Sequence, residues 1–399
     1  MDSLLALALL GRTPNLFAEH LHALVAATGS IEGAASIGAQ GIPGIALAPS
    51  AREFLAQPDQ TALDADLQWI EKSGAQLIPC TAPSYPSMLA RTTRAPAVLY
   101  VLGDADALHT PQLAMVGSRS PTASGRATAQ DFAEFFARAG ITITSGLALG
   151  IDAASHEGAL RANGRTIAVC GTGLDVVYPR QNISLAKRIC ERGALVSEFP
   201  PRTQPIGHHF PKRNRVISGL SFGTLVVEAA LASGSLITAQ YAGEQGREVF
   251  AIPGSIHNPL SRGCHKLIRT GAKLVEGAAD VLSEVLNFLQ PQSLAPSCLG
   301  GETPPALDKE YEILLDALGF EPASLDVLVA RTGIPGDSVA SMLLILELQG
   351  RIALHAGGRY GRIRTRGLKK IGDDWQRSRH SDLRLRPLHA RRGTRGAGA

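Results

Sequence analysis

The residues best suited to chemistry crowd into residues 208–220, HHFPKRNRVISGL. Lys212, Arg213 and Arg215 put three cations within four positions, beside Phe210, Pro211 and Asn214. A buried core segment would not hold that charge, and a solvated charge run has no need of the aromatic. Cations that track phosphates, next to a ring on which a base can stack, are what a groove for a single-stranded nucleic acid requires. An exposed basic loop leading into a helix would have the same composition, so the neighbouring loops have to decide between the two.

Those loops are rich in glycine and hydroxyls. Gly117-Ser118-Arg119 follows an apolar run; the glycine lets backbone amides approach an anion, Ser118 can donate and Arg119 can fork onto a phosphate. In SGLALGIDAASHEGAL a strand ends at Ser145-Gly146, Gly150 makes a turn, and Asp152 stands near the start of a helix that carries His156. Asp152 reads as an N-terminal cap, and His156 as a packing or hydrogen-bonding residue. Gly171-Thr172-Gly173 follows another strand, with Tyr178-Pro179-Arg180 and Asn182 soon after. SGSLITA supplies Ser233, Ser235 and Thr238 near a helix start, where hydroxyls suit a phosphate or ribose as well as a cap. Glu198 and Glu228 sit at strand ends and could form an acid/base pair. Arg215 could equally be neutralised by Glu198 or Glu228, which leaves a structural role open for part of the 213–215 run.

Several chemistries are set aside. The third glycine of a dinucleotide fingerprint is missing, and no GxxxxGK[ST] occurs, so neither a dinucleotide cofactor nor a P-loop nucleotide is expected. The five cysteines (Cys80, Cys170, Cys190, Cys264, Cys298) include no C-x-x-C pair and imply neither a zinc site nor a disulfide framework. Cys264 reads as a loop residue with no visible base beside it. The expectation is no metal, no cofactor and no catalytic residue.

The elements that must position these loops follow from periodicity. Short β-rich runs at 113–117, 141–146, 166–173, 223–228 and 248–254 alternate with helical stretches, which implies right-handed crossovers and a parallel sheet with helices on both faces. In such sheets ligands lie beyond the C-terminal strand ends, where the glycine-rich loops fall. Residues 1–75 are Ala/Leu-rich and helical, broken at Gly41 to Gly44, and read as a small domain, either a helix-hairpin-helix-type DNA-backbone binder or a packing cap. Residues 76–288 form the sheet core, 289–305 a Pro/Ser/Gly-rich linker, and 306–365 three helices and a β-wing, a winged helix. Its third helix, from Ser338, has no cation, which favours protein contact over DNA reading. Residues 366–399 are Arg-rich and read as a disordered tail.

Length, 399 residues, fits two or three domains. The net charge of +4 is uneven: twelve Lys and Arg against three Asp lie from Arg362 onward, leaving the remainder near −5. Any nucleic-acid site in the body is therefore a local patch. The start, MDSLLALALLGR, has an apolar run of seven residues preceded by Asp2, and reads as a helix rather than a secretory signal. No run reaches membrane-spanning length, and the odd, unpaired cysteines fit a reducing cytosol, so a cytoplasmic protein is expected.

Taken together, GSR at Gly117, SGLALGID from Ser145, GTGLDVVYP from Gly171, SEFP from Ser197, FPKRNRVISGLS from Phe210, VVEA from Val226, SGSLITA from Ser233 and AIPG from Ala251 resemble the DNA processing protein A family (DprA, also called Smf) over about residues 80–285. The resemblance implies a Rossmann-like core in a cytoplasmic bacterial protein that binds single-stranded DNA, forms a homodimer, and helps load the RecA recombinase during natural transformation, without being an enzyme. Carried over, Arg119 and Phe210 to Arg215 line the DNA groove and the 146–150 and 171–173 loops supply amides. With Gly117, Ser118, Ser145, Gly146, Gly150, Gly171, Gly173, Arg180, Ser233, Ser235 and Thr238 they make up the expected DNA-binding set. No role carries over to His265, and the tail has no counterpart in the family. The competing reading is a nucleotide phosphoribohydrolase of the lysine-decarboxylase-like group. GTLVVEAA from Gly223 resembles its Gly-Thr…Glu element, with Glu228 catalytic and Arg119 on a nucleotide phosphate, but the fuller Pro-Gly-Gly-x-Gly-Thr run is absent.

Overall fold

The chain's alternation of apolar strands and amphipathic helices builds one large sheet. The computed structural model describes residues 2–37, 41–289, 309–318, 323–348, 352–355 and 359–362, in two compact units, 1–294 and 295–399. All but residue 289 of the expected linker, and the whole expected tail, lie outside the described residues.

The first unit opens with helices α1 (Ser3–Arg12), α2 (Ala18–Thr28), α3 (Ile31–Ile37), α4 (Pro49–Ala56) and α5 (Gln60–Ser73). Their ends follow the chain's capping residues: Gly29 and Gly74 close α2 and α5 in the left-handed conformation, and the Asp59 carboxylate accepts from the Ala62 amide at the start of α5. The Gly41 to Gly44 turn is exposed or half-buried and not helical.

Strands β1 (Gln76–Pro79), β2 (Val98–Gly103), β3 (Gln112–Val116), β4 (Thr142–Ser145), β5 (Thr166–Val169), β6 (Ala194–Ser197), β7 (Gly223–Val226), β8 (Glu248–Ala251) and β9 (Lys273–Leu274) follow. They pair in the order β1-β2-β6-β5-β4-β3-β7-β8-β9. From β6 to β9 every pairing is parallel, whereas β2 is antiparallel to both β1 and β6. The sheet is thus mixed at one edge, where sequence periodicity implied parallel strands alone. Between them lie α6 (Ser87–Ala90), α7 (Ala123–Arg138), α8 (Ile151–Arg161), α9 (Ile183–Arg192), α10 (His209–Leu220), α11 (Ser235–Glu244), α12 (Arg262–Arg269) and α13 (Ala278–Leu289).

Strand residues alternate between two apolar layers, as a period of two requires. Ala114 and Val116 face the layer that holds Val216 and Ile217 of α10, Ala239 of α11 and the leucines of α1 and α2. Leu113 and Met115 face the layer of α7 and α8. Helices therefore cover both faces. The order reverses between β3 and β7, which makes a topological switch point with a crevice beyond their C-terminal ends.

The second unit is a winged helix: α14 (Lys309–Leu318), β10 (Ala323–Ser324), α15 (Leu325–Thr332), α16 (Gly336–Leu348), β11 (Ile352–His355) and β12 (Arg359–Arg362), with sheet order β10-β12-β11. Leu314, Leu328, Val339, Leu343 and Leu346 form its core. No helix among the described residues is long and apolar enough to cross a membrane.

Candidate nucleic-acid interface

A cavity of about 540 Å³ opens at the switch point, between the loop after β3, the start of α8, and helices α10 and α11. Gly117, Arg119, Phe210, Arg213, Asn214 and Thr238 are among its walls. Beside it, a slot is walled by Arg119, Leu149, Tyr178 and Phe210. The Tyr178 and Phe210 rings lie 5.6 Å apart at 41°, and the Arg119 guanidinium stands 5.6 Å from the Phe210 centroid. Arg119 is exposed and Tyr178 is 45 % exposed. An exposed ring and a half-buried one with a cation beside it make a surface on which a base can stack, next to a charge that can hold a phosphate. Tyr178 was not in the set expected from sequence; the signal that could have found it is the aromatic-Pro-Arg run after Gly173.

The basic segment is not a loop. Residues 209–220 form α10, with Pro211 in its first turn, where a missing amide hydrogen costs nothing. Successive side chains of a helix diverge by about 100°, so the cations part. Arg213 points inward: it is buried, its Nη1 donates to the carbonyls of Gly146 (2.6 Å) and Val169, and Asp152 lies beside it. Arg215 is also buried, ion-paired to Glu198 at 2.5 Å, with its other arm on the Arg94 carbonyl. Lys212 is half-buried, 3.6 Å from the same carboxylate. Asn214 lines the cavity and donates to the Gly234 carbonyl at 3.3 Å. All three expected phosphate-tracking cations thus have internal partners, two of them buried and Lys212 at the looser distance of 3.6 Å.

The glycine loops interlock more than they lie open. The Ser118 amide donates to the Glu228 carbonyl (2.7 Å), the Gly146 amide to the Asp152 carboxylate (3.2 Å) and the Gly173 amide to the Thr203 carbonyl (3.1 Å). Those three amides are not free for an anion. Gly150 has φ 83°, and a side chain there would press on the Arg119 carbonyl at 2.6 Å; glycine is what lets the β3 and β4 loops meet. Gly171 leaves room for the Phe210 ring, whose Cδ1 would lie 3.0 Å from an added Cβ. Ser145 is buried, donating to the Met115 carbonyl at 2.6 Å. The Ser233 and Ser235 hydroxyls bond each other at 2.6 Å; both line the cavity, as does buried Thr238. Arg180 is exposed, beside the Pro179 wall of the slot. Asn182 donates to the carbonyls of Leu147 and Ala148, holding the β4 loop where Leu147 adopts φ 58°.

Both strand-end carboxylates have structural partners. Glu228 is buried, and its oxygens accept from the Thr122 amide (2.9 Å) and hydroxyl (2.6 Å), tethering the start of α7. Glu198 holds Arg215 and Lys212. Asp152 is raised above the usual carboxylate range by burial, with Arg213 opposing. Cys264 belongs to α12 rather than a polar loop; it is fully buried, and burial pushes its thiol up to about 11, so it is no nucleophile. No cluster among the described residues could hold a metal ion.

His156 is wholly buried. The Thr166 hydroxyl donates to the Ile143 carbonyl (2.7 Å) and so accepts from Nδ1–H of His156 at 2.6 Å, while Nε2 has no partner. Burial first, and then the charge of Arg213, push its pKa down from 6.5 to about 3. The folded state keeps this ring neutral while the unfolded chain protonates it. Stability is therefore full above pH 6.5 and falls as pH drops toward 3, by up to about 5 kcal/mol from this group. Urea unfolding at pH 7 and pH 4.5 should show a smaller drop in His156→Asn than in the wild type; equal drops would place the acid sensitivity elsewhere.

A sheet that carries an aromatic slot and an exposed guanidinium at its switch point, beside a cavity that Asp152 and Arg213 also line, defines a doubly wound α/β protein with its candidate site beyond the C-terminal strand ends. The model of the DNA recombination-mediator protein A family matches residues 76–286, and that of the DprA winged helix domain matches residues 301–358. Protein Smf of Escherichia coli is 45 % identical over 316 residues, covering 79 % of this chain and 84 % of that protein. The DNA processing protein DprA of Streptococcus pneumoniae is 48 % identical over 200 residues, covering 50 % of this chain and 71 % of that protein. The X-ray structure of that DprA superposes with a TM-score of 0.60 at 36 % identity, covering 71 % of this chain and 98 % of that one. The chain belongs to the DprA/Smf family.

Proposed function

We propose that this protein is a sequence-nonspecific single-stranded DNA-binding protein of DNA uptake and recombination. The observation that carries the reading is the Arg119–Phe210–Tyr178 cluster at the mouth of the switch-point cavity. A base stacks in the slot, its phosphates lie on Arg119 and Arg180, and Asn214, Ser233, Ser235 and Thr238 supply polar contacts in the cavity. Arg213, Ser145, Gly146, Gly150, Gly171 and Gly173 serve that site by shaping it. No base edge is read in this arrangement, which is why sequence preference is expected to be slight. Membership of a family of DNA recombination mediators supports the same reading. The homodimer, the cytoplasmic location and the delivery of the strand to the RecA recombinase are further parts of the proposal and rest on the family resemblance alone.

The hydrolase alternative needs a free carboxylate, and Glu228 is held on both oxygens by Thr122. Fluorescence anisotropy with a labelled single strand and its duplex across a salt series tests the proposal. The expected result is single-strand preference, with log K falling against log salt at a slope of about −1.4 to −2, since two or three phosphates contribute roughly 0.7 each. Equal affinity for duplex, or binding without salt dependence, would contradict it.

A further inference from the structure

Helix α10 lines a second cavity with its other side. Lys212 and Arg215, the 91–94 turn and the C-terminal part of α11 enclose about 620 Å³. The turn contributes Arg91 and Arg94, both exposed. Four cations thus line one cavity, and the acidic side chain among its walls is Glu244, which accepts from Gln240 at 2.8 Å.

The cations are not equally satisfied. Arg215 is neutralised by Glu198, and Lys212 shares that carboxylate at 3.6 Å. Arg91 and Arg94 have no carboxylate and no hydrogen-bond acceptor among the described residues. Arg94 is instead held over the Phe17 ring, 5.0 Å from its centroid, on a backbone at φ 58°. Arg91 adds its field to that of Arg247, whose Nε is buried without a partner. Two guanidinium groups with no ion-pair partner among the described residues, one of them held over an aromatic ring, form a preset site for an oxyanion such as a phosphate, which the guanidinium fork can grip through two oxygens.

The position says which anion. Helices α10 and α11 wall both cavities: Asn214 and Thr238 face the first, Arg215 and Tyr241 the second. Phe210 and Arg215 differ by about 7.5 Å along the helix axis and about 140° around it, so a strand joining the two cavities crosses over α10 and needs several nucleotides to do so. We propose that this cavity is a second phosphate-binding subsite, in which Arg91 and Arg94, flanked by Lys212, take the backbone of the same single strand beyond the base stacked at Phe210. The inference rests on the single-strand reading of the first cavity and adds a direction to it: the strand runs from the switch point over α10 toward the N-terminal helices.

Anisotropy titrations with oligothymidylates from about 4 to about 16 nucleotides, on wild type and Arg91→Ala/Arg94→Ala, test it. Short strands should bind both proteins alike. Long strands should bind the wild type more tightly, and the double variant should lose that gain. Its salt slope on long strands should be shallower by about 1.4, so that between 50 and 200 mM salt the wild type loses about sevenfold more affinity than the variant. An undiminished length gain in the variant overturns the subsite while leaving the first cavity intact. A wild type that binds no strand of any length overturns both. Arg91→Glu alone, whose side chain has no partner to lose, repeats the comparison if the double variant unfolds more readily than the wild type.

Discussion

Phe210→Ala should weaken single-strand binding by between about fivefold and about 150-fold, the loss of one stacking ring worth about 1–3 kcal/mol. The ring is half-buried and seated against the backbone of Gly171, and Arg119 and Tyr178 both lean on it. Its removal takes away a base platform and the surface that orients a guanidinium. Arg119→Ala should therefore add less in a Phe210→Ala background than alone, because the two residues act as one contact. Phe210→Trp should retain most of the affinity. Anisotropy on the four proteins of this cycle gives the coupling directly. Full additivity would show that the cation does not depend on the ring, and an unchanged affinity in Phe210→Ala would remove the slot from the DNA path.

Arg213→Ala should destabilise the fold by about 3–5 kcal/mol, the cost of removing one partner from a buried charge pair. Nη1 of Arg213 satisfies the carbonyls at the ends of β4 and β5, and its charge is what opposes the burial of Asp152. Arg213→Lys should restore stability only in part, since an ammonium keeps the charge but gives up the bond from Nε to the Asn214 Oδ1 and the planar group that fills the site. The variant should also gain a pH dependence. Asp152 is already raised in the folded state, and without Arg213 it rises further. A carboxyl with a raised folded pKa stabilises below its unfolded value, about 3.9, and that contribution is lost as pH rises through the folded value. Urea unfolding of Arg213→Ala should therefore weaken from mildly acidic pH to neutrality more than that of the wild type. A variant with wild-type stability and lost DNA binding would instead make Arg213 a phosphate ligand.

That contrast shows what the chain discloses and what only folding does. The chemistry of residues 208–220 was legible because cations, an aromatic and a proline sit side by side. The division of labour among Lys212, Arg213 and Arg215 was not, because it depends on the segment being a helix whose faces look at β4 and β5, at Glu198 and at solvent. The parallel strands were legible from short β-rich runs closed by glycine. The antiparallel edge, β1 and β2, was not: the segment between them is irregular apart from the short α6, and the apolar run at 98–103 carries no alternation to mark its partner. The glycines were read as openings for phosphate. Gly150 and Gly171 are openings for the protein's own loop and ring, a distinction that rests on neighbours distant in sequence. Tyr178 was passed over because a loop aromatic gains meaning only when a second ring stands beside it.

The central claim is that a base stacks on the surface made by Phe210 and Tyr178. Photo-crosslinking of an iodouracil-substituted single strand, followed by peptide mass spectrometry, locates the bases without any substitution in the protein. The account predicts adducts on the peptides that carry Tyr178 and Phe210, lost when unlabelled single strand competes. Adducts confined to the winged helix or to residues 363–399 would contradict it and move the binding site off the sheet.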